Sequence, residues 1–156
     1  MNNKDRMTLC GIFKFYEYDL LGRLVFYLEE PNIVVNRAKY NLARVLGNTN
    51  ISSRYISCVA FGTGGLDQNG NPVPPSENDL ELENEIISKN VNEPEYPDDV
   101  SVTFTATLGL TEGNGYAFSE AGLKFANGDL CARKTFTART KSDTNTFTVV
   151  WRIYWL

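Results

Sequence analysis

Residues 145–156 read Asn-Thr-Phe-Thr-Val-Val-Trp-Arg-Ile-Tyr-Trp-Leu, and their alternation predicts one long β-strand. Phe147, Val149, Trp151, Ile153 and Trp155 share one face and belong in a core. Thr148, Val150, Arg152, Tyr154 and Leu156 share the other, which carries more apolar area than a wet face needs. Burying one large apolar side chain contributes about 1.5–3 kcal/mol, so a cover over this second face is favoured. Two covers are available: an upstream hairpin, or another subunit.

Working outward, residues 100–110 alternate in the same way, with Val100, Val102, Phe104, Ala106 and Leu108 opposite Ser and Thr. Residues 54–61, 116–125 and 129–138 supply further strands, the last two joined by a tight turn at Ala126-Asn127-Gly128. Residues 9–18 and 23–29 flank Asp19-Leu20-Leu21-Gly22 and form the hairpin, which Pro31-Asn32 is expected to end. The period then changes. Ala38, Leu42, Val45 and Leu46 fall on one helical face, with Arg37, Asn41 and Arg44 opposite. Asn36 is the expected N-cap, and Gly47 the expected left-handed stop. Residues 66–78 and 92–99 are expected to be exposed loops, with Leu80, Leu82, Ile86 and Ile87 tying the segment between them to the core. The expected fold is mainly β: an antiparallel two-layer β-sandwich with one short amphipathic helix near residues 36–46. The whole chain, 1–156, reads as a single domain in which the hairpin over residues 9–29 is a candidate arm.

Composition narrows the chemistry. Apolar residues make up 42% and charged residues 22% of the 156, which suits a packed domain. A net charge of −4 argues against a nucleic-acid grip, which relies on Lys and Arg to neutralise phosphates. No apolar run approaches the roughly 18 residues of a membrane span, so no membrane partner is expected. The three cysteines, Cys10, Cys58 and Cys131, have no paired spacing, and histidine is absent. Free, buried thiols are therefore expected, with no metal and no cofactor.

Several stretches bear a surface likeness to catalytic or binding motifs. Gly62-Thr-Gly-Gly-Leu-Asp lacks the third glycine of a dinucleotide loop and the Gly-Lys-Ser/Thr of a Walker loop. Asp67-Gln-Asn-Gly-Asn places its glycine too early for an EF-hand. The carboxylates at 81, 83, 85, 93, 95, 98 and 99 border loops, where solvated charge is their ordinary meaning. Arg37, Lys39 and Arg44 read as the wet side of a helix. No serine or cysteine stands in a nucleophile motif, so no catalytic residues are assigned and no enzyme is expected.

One ordered series of motifs carries more. Asn32-Ile-Val-Val-Asn36 leads into the helix, followed by Ile56-Ser-Cys-Val-Ala-Phe-Gly-Thr-Gly64 and Asn78-Asp-Leu-Glu-Leu82 with Glu85-Ile86. Ser119-Glu-Ala-Gly-Leu123, Leu130-Cys-Ala-Arg133, Phe136 and Thr148-Val-Val-Trp151 complete it. This order resembles a widespread class of bacteriophage virion proteins found among tail-fibre, baseplate and neck components, and it runs from Asn32 to the last residue. The loop at 66–78 is longer than in that pattern, and Lys124 stands where an aromatic is usual. The chain stops at the closing strand, so the resemblance implies an attachment module without a host-binding tip.

The resemblance implies a non-enzymatic adaptor, collar or baseplate subunit, resident in the virion and assembled in the host bacterial cytoplasm. Its implied partners are tail, neck or fibre subunits and further copies of itself. Its sites are then interfaces, for which Tyr154, Leu156 and Val150 of the last strand and Tyr16 and Phe26 of the hairpin are the candidates. Glu120 and Arg133, brought together across the 126–128 turn, form a candidate structural pair. The alternative is a carbohydrate- or small-ligand-binding β-sandwich module, in which exposed Trp and Tyr stack on the ligand.

Overall fold

The structure, a computed structural model, describes residues 7–156. The fold is mainly β and antiparallel, with one short helix, as the alternation predicts. Its strands are β1 (Leu9–Asp19), β2 (Leu24–Val34), β3 (Ile56–Gly62), β4 (Glu85–Asn90), β5 (Glu95–Asp98), β6 (Ser101–Leu108), β7 (Ala117–Phe125), β8 (Leu130–Thr140) and β9 (Asn145–Trp155). Helix α1 (Asn36–Leu46) and a short 3-10 turn at Ile51–Ser53 lie between β2 and β3.

The nine strands of the described residues belong to one sheet, in the order β4-β3-β7-β8-β2-β1-β9-β6-β5. Two parts of this sheet face each other across the core. Phe136 of β8 lies 5.7 Å from Phe13 and 5.3 Å from Phe15 of β1, ring centre to ring centre, although β2 separates the two strands in the sheet. Phe118 of β7 meets Phe147 of β9 edge-on at 6.3 Å. The turn of the sheet falls on β2, which pairs with β1 from Leu24 to Asn32 and with β8 only at Ile33 and Val34. Phe104, Phe147, Val149 and Trp151 are buried in one core cluster, on the face their alternation predicts. The Trp151 indole N–H donates to Asn32 Oδ1 at 2.9 Å, which gives the buried indole its polar partner.

Several local expectations are corrected. Pro31-Asn32 does not end the hairpin, because β2 runs through both to Val34. The Pro31 carbonyl accepts from Lys134 Nζ at 3.3 Å, so this residue's backbone faces the side where β8 is not paired. Its missing N–H leaves no ladder bond unmade there. Two polar edge strands, β4 and β5, occupy ground read as a tether and a loop. Leu82 is buried, but Leu80 is 71% exposed and ties nothing down. Val100 precedes its strand and is exposed.

In α1, Asn36 is the first helical residue and makes no cap. It bonds outward to Asn78 at 3.0 Å instead. Gly47 has φ −83°, and the left-handed residues are Asn48 and Asn50. The buried face is Ala38 with Asn41, while Leu46 is 90% exposed. Asn41, placed by periodicity on the wet side, is buried because its amide serves four neighbours, the first being the Arg37 carbonyl, to which it donates at 2.9 Å. It donates to Asp129 Oδ2 and accepts from Asn127 Nδ2, each at 2.9 Å, and also accepts from Arg54.

Candidate functional site

The expected pair of Glu120 and Arg133 is formed, and it is the centre of a larger polar node. Glu120 has no solvent-exposed surface. Its Oε2 accepts from Arg133 Nη2 at 2.6 Å and Nε at 3.2 Å, and from the Glu83 backbone N–H at 3.1 Å. Its Oε1 accepts from the backbone N–H of Asn84 at 2.8 Å and of Gly64 at 3.1 Å. Arg133 Nη1 reaches Asp79 Oδ2 at 2.8 Å. Five donors on one carboxylate offset the cost of burying its charge. Burial disfavours the Arg133 charge, but hydrogen bonds to Asp79 and Glu120 outweigh it and hold the guanidinium pKa above its ordinary value.

Glycines let the backbone come this close. A Cβ on Gly62 would stand 2.5 Å from the Asn84 carbonyl and 2.6 Å from Glu120 Oε1, and one on Gly64 would stand 2.5 Å from Glu83 Cβ. On Gly122 it would meet Leu130 and Leu82 at 2.8 and 2.9 Å. Ser119 Oγ donates to the Gly64 carbonyl at 2.7 Å. Four separated motifs, at 56–64, 78–82, 119–123 and 130–133, thus meet in one place and pin the segment 63–84 to β7 and β8. Beyond the node, residues 67–74 are exposed, as expected, though the Val73 carbonyl accepts from Thr135 Oγ1 at 2.8 Å.

Four of the five interface candidates lie together. Val150, Tyr154 and Tyr16 sit on the outward face of β1-β9-β6, where Lys14 faces Val150, Tyr16 faces Thr148 and Cys10 faces Tyr154. Leu156 follows at its edge and is 73% exposed. Tyr16 lies 6.2 Å from Tyr18 with parallel rings and 4.9 Å from Tyr27, so three tyrosines form one cluster on this face. A hydrogen bond from the Tyr27 hydroxyl to Glu29 pushes the Tyr27 pKa up to about 12.

The hairpin does not lie over Tyr154 and Leu156. It lies beside them, with β1 paired to β9 from Leu9↔Trp155 to Asp19↔Asn145. One of the two covers considered for the terminal strand is thereby removed. Phe26, the fifth candidate, points the other way. It meets Phe15 edge-on at 6.0 Å, lies under the Arg139 guanidinium at 4.1 Å, and lines a groove between β2 and β8.

The segments set aside as chemistry have local structural partners. Asp67 Oδ1 accepts from the N–H groups of Asn69 and Asn71 at 2.8 and 2.9 Å, which makes that stretch a turn. Arg37 and Arg44 stack on Tyr40 at 4.1 and 3.4 Å, and Arg37 also bonds Asp129. The three cysteines are free, but Cys10 and Cys58 are only half-buried, since both lie on outward or partly covered strand positions. Among the described residues no group of three or more His, Cys, Asp or Glu is arranged to hold a metal. No protein-family model, curated protein or solved structure matches this chain.

Proposed function

We propose that the protein is a non-enzymatic virion structural subunit, an adaptor, collar or baseplate component that acts by oligomeric assembly with tail, neck or fibre subunits. The supporting observation is the node: four of the dispersed motifs that carry the resemblance to phage virion proteins, at 56–64, 78–82, 119–123 and 130–133, converge on Glu120 and Arg133. Residues that share one buried network are those a common fold has to keep together. The subunit is assembled in the host bacterial cytoplasm and resides in the virion. The mass and symmetry of the purified species, measured by native mass spectrometry and electron microscopy, test the reading. A closed ring supports it. A monomer that does not associate with any virion component counts against it.

A second reading rests on a separate observation. The Tyr16–Tyr18–Tyr27 cluster, with Glu29 and Lys14 beside it, offers flat aromatic faces next to charged groups able to hydrogen-bond sugar hydroxyls. A monomer that retains glycan, and loses it on Tyr16→Ala, would favour a carbohydrate-binding module over a virion subunit.

A further inference from the structure

Past Ile33↔Arg133 and Val34↔Ala132, the ladder between β2 and β8 stops and the strands diverge. Long side chains span the gap in place of backbone bonds. Lys134 reaches Glu30 at 2.5 Å and the Pro31 carbonyl at 3.3 Å, and Arg139 reaches Glu17 at 2.9 Å. Between them is an open groove of about 580 Å³, floored by Phe26, Leu28 and Phe136 and walled by Pro72, Pro74 and Pro75. Such a volume falls within the range that admits large apolar groups.

The same chain carries an apolar feature left exposed to solvent. The β1–β2 turn places Leu20 and Leu21 at its tip, 59% and 76% exposed, with Leu24 and Val25 exposed just behind them. Turns ordinarily carry Gly, Asn, Asp, Ser or Pro, and nothing in this turn's geometry calls for leucine. The tip is also stiff. Asp19 Oδ1 accepts from the N–H groups of Leu21 and Arg23 at 2.9 and 3.0 Å, the Arg23 guanidinium closes on Asp19 Oδ2 at 2.8 Å, and Gly22 takes φ +74°. A tip fixed in advance loses little freedom on docking. The charges agree as well. Arg23 is paired with Asp19, Lys134 with Glu30 and Arg139 with Glu17, so joining the two surfaces leaves none of these charges without a partner.

We propose that a second copy of this chain seats its hairpin tip, Leu20 and Leu21, in the groove between β2 and β8. The inference rests on the assembly reading above and names the contact through which copies join. Tip and groove are different surfaces, so each copy gives one tip and receives another. The contact therefore passes from copy to copy, giving a ring where its rotation closes and a filament where it does not.

Two variants test it by complementation. Leu20→Ser/Leu21→Ser removes the tip and keeps the groove, whereas Thr137→Arg blocks the groove at an exposed lining position and keeps the tip. Each is checked for an unchanged thermal melt, with the single change Leu21→Glu replacing the double one if that melt drops. In sedimentation velocity the wild type is expected to run as an oligomer and each variant alone as a monomer. An equal mixture of the two variants is expected to regain a two-copy species, because one intact tip and one intact groove remain. Wild-type-like assembly of either variant, or a mixture that stays monomeric, overturns the tip-in-groove contact and leaves assembly through another surface standing. A monomeric wild type overturns both this contact and self-assembly.

Discussion

Arg133 holds Glu120 of β7 with one side of its guanidinium and Asp79 of the covering segment with the other, so a single side chain locks that segment onto the sheet. Removing it leaves the Glu120 carboxyl fully buried with backbone donors only. Breaking a buried pair from one side typically costs about 3–5 kcal/mol. Arg133→Met is expected to fall in that range by urea denaturation. The double change Arg133→Met/Glu120→Met is expected to be less damaging than the single one, because no unpaired charge is left inside.

Gly62 tests the close approach around this node. A Cβ there would stand 2.5 Å from a backbone oxygen, that of Asn84, which has no flexible end to swing aside. Gly62→Ala is expected to cost about 1–3 kcal/mol, as overpacking does. Limited proteolysis should then cut within residues 66–78 sooner than in the wild type. An unchanged cleavage rate would mean that the segment is held from elsewhere.

Trp151 is buried in the core, edge-on to Phe13 at 4.9 Å. Trp151→Ala is expected to cost about 3–5 kcal/mol, and Trp151→Phe less, since it keeps most of the volume and loses the bond to Asn32. Thermal and chemical denaturation of the two variants gives both values.

Burial pushes the Cys131 thiol up to about 12 from its ordinary 9.0. The folded state therefore keeps a proton that the unfolded chain releases at lower pH. The corresponding stability is fully present below pH 9 and is lost progressively as pH rises toward 12. Cys131→Ala is expected to flatten this alkaline slope in denaturation curves. A thiol reagent is expected to label Cys10 and Cys58 first and Cys131 only as the protein unfolds.

The last residues are tied into the monomer by backbone bonds. Thr8 and Leu156 exchange bonds of 2.8 and 2.9 Å, and the Trp155 N–H donates to the Val100 carbonyl at 3.0 Å. Deleting residues 154–156 is therefore expected to lower the melting temperature of the monomer itself. Tyr154→Ser/Leu156→Ser keeps that ladder and is expected to leave the melt nearly unchanged. A loss of assembly in the substituted protein would then report a contact on the outward face.

The strands that bury one face were legible in the sequence. Phe147 to Ile153 and Val102 to Leu108 alternate because one side meets the core and the other meets solvent. β4 and β5 were not, because edge strands such as Glu-Ile-Ile-Ser-Lys-Asn and Glu-Tyr-Pro-Asp have little core to face. Periodicity misplaced Asn41 because its partner Asp129 lies 88 residues away, and the bond that buries it leaves no local trace. For the same reason the pair of Glu120 and Arg133 could be read across its short turn, while Asp79 and the three backbone donors could not. The groove had no signal at all, since it exists only where two strands distant in sequence part.

The position of β9 between β1 and β6 bears on when the protein can fold during its own synthesis. Both neighbours precede β9 in the chain, and Asn32 lies 119 residues ahead of the Trp151 that it bonds. At about 5–20 residues per second, the ribosome needs on the order of ten seconds to cover that distance. Over that interval the aromatic side of β1 has no β9 to pack beside, although a domain of this kind completes folding in about milliseconds to seconds once all its strands are present. Translation, not the search for structure, then sets the pace, and a nascent chain with Phe13 and Phe15 uncovered is the form most in need of a chaperone.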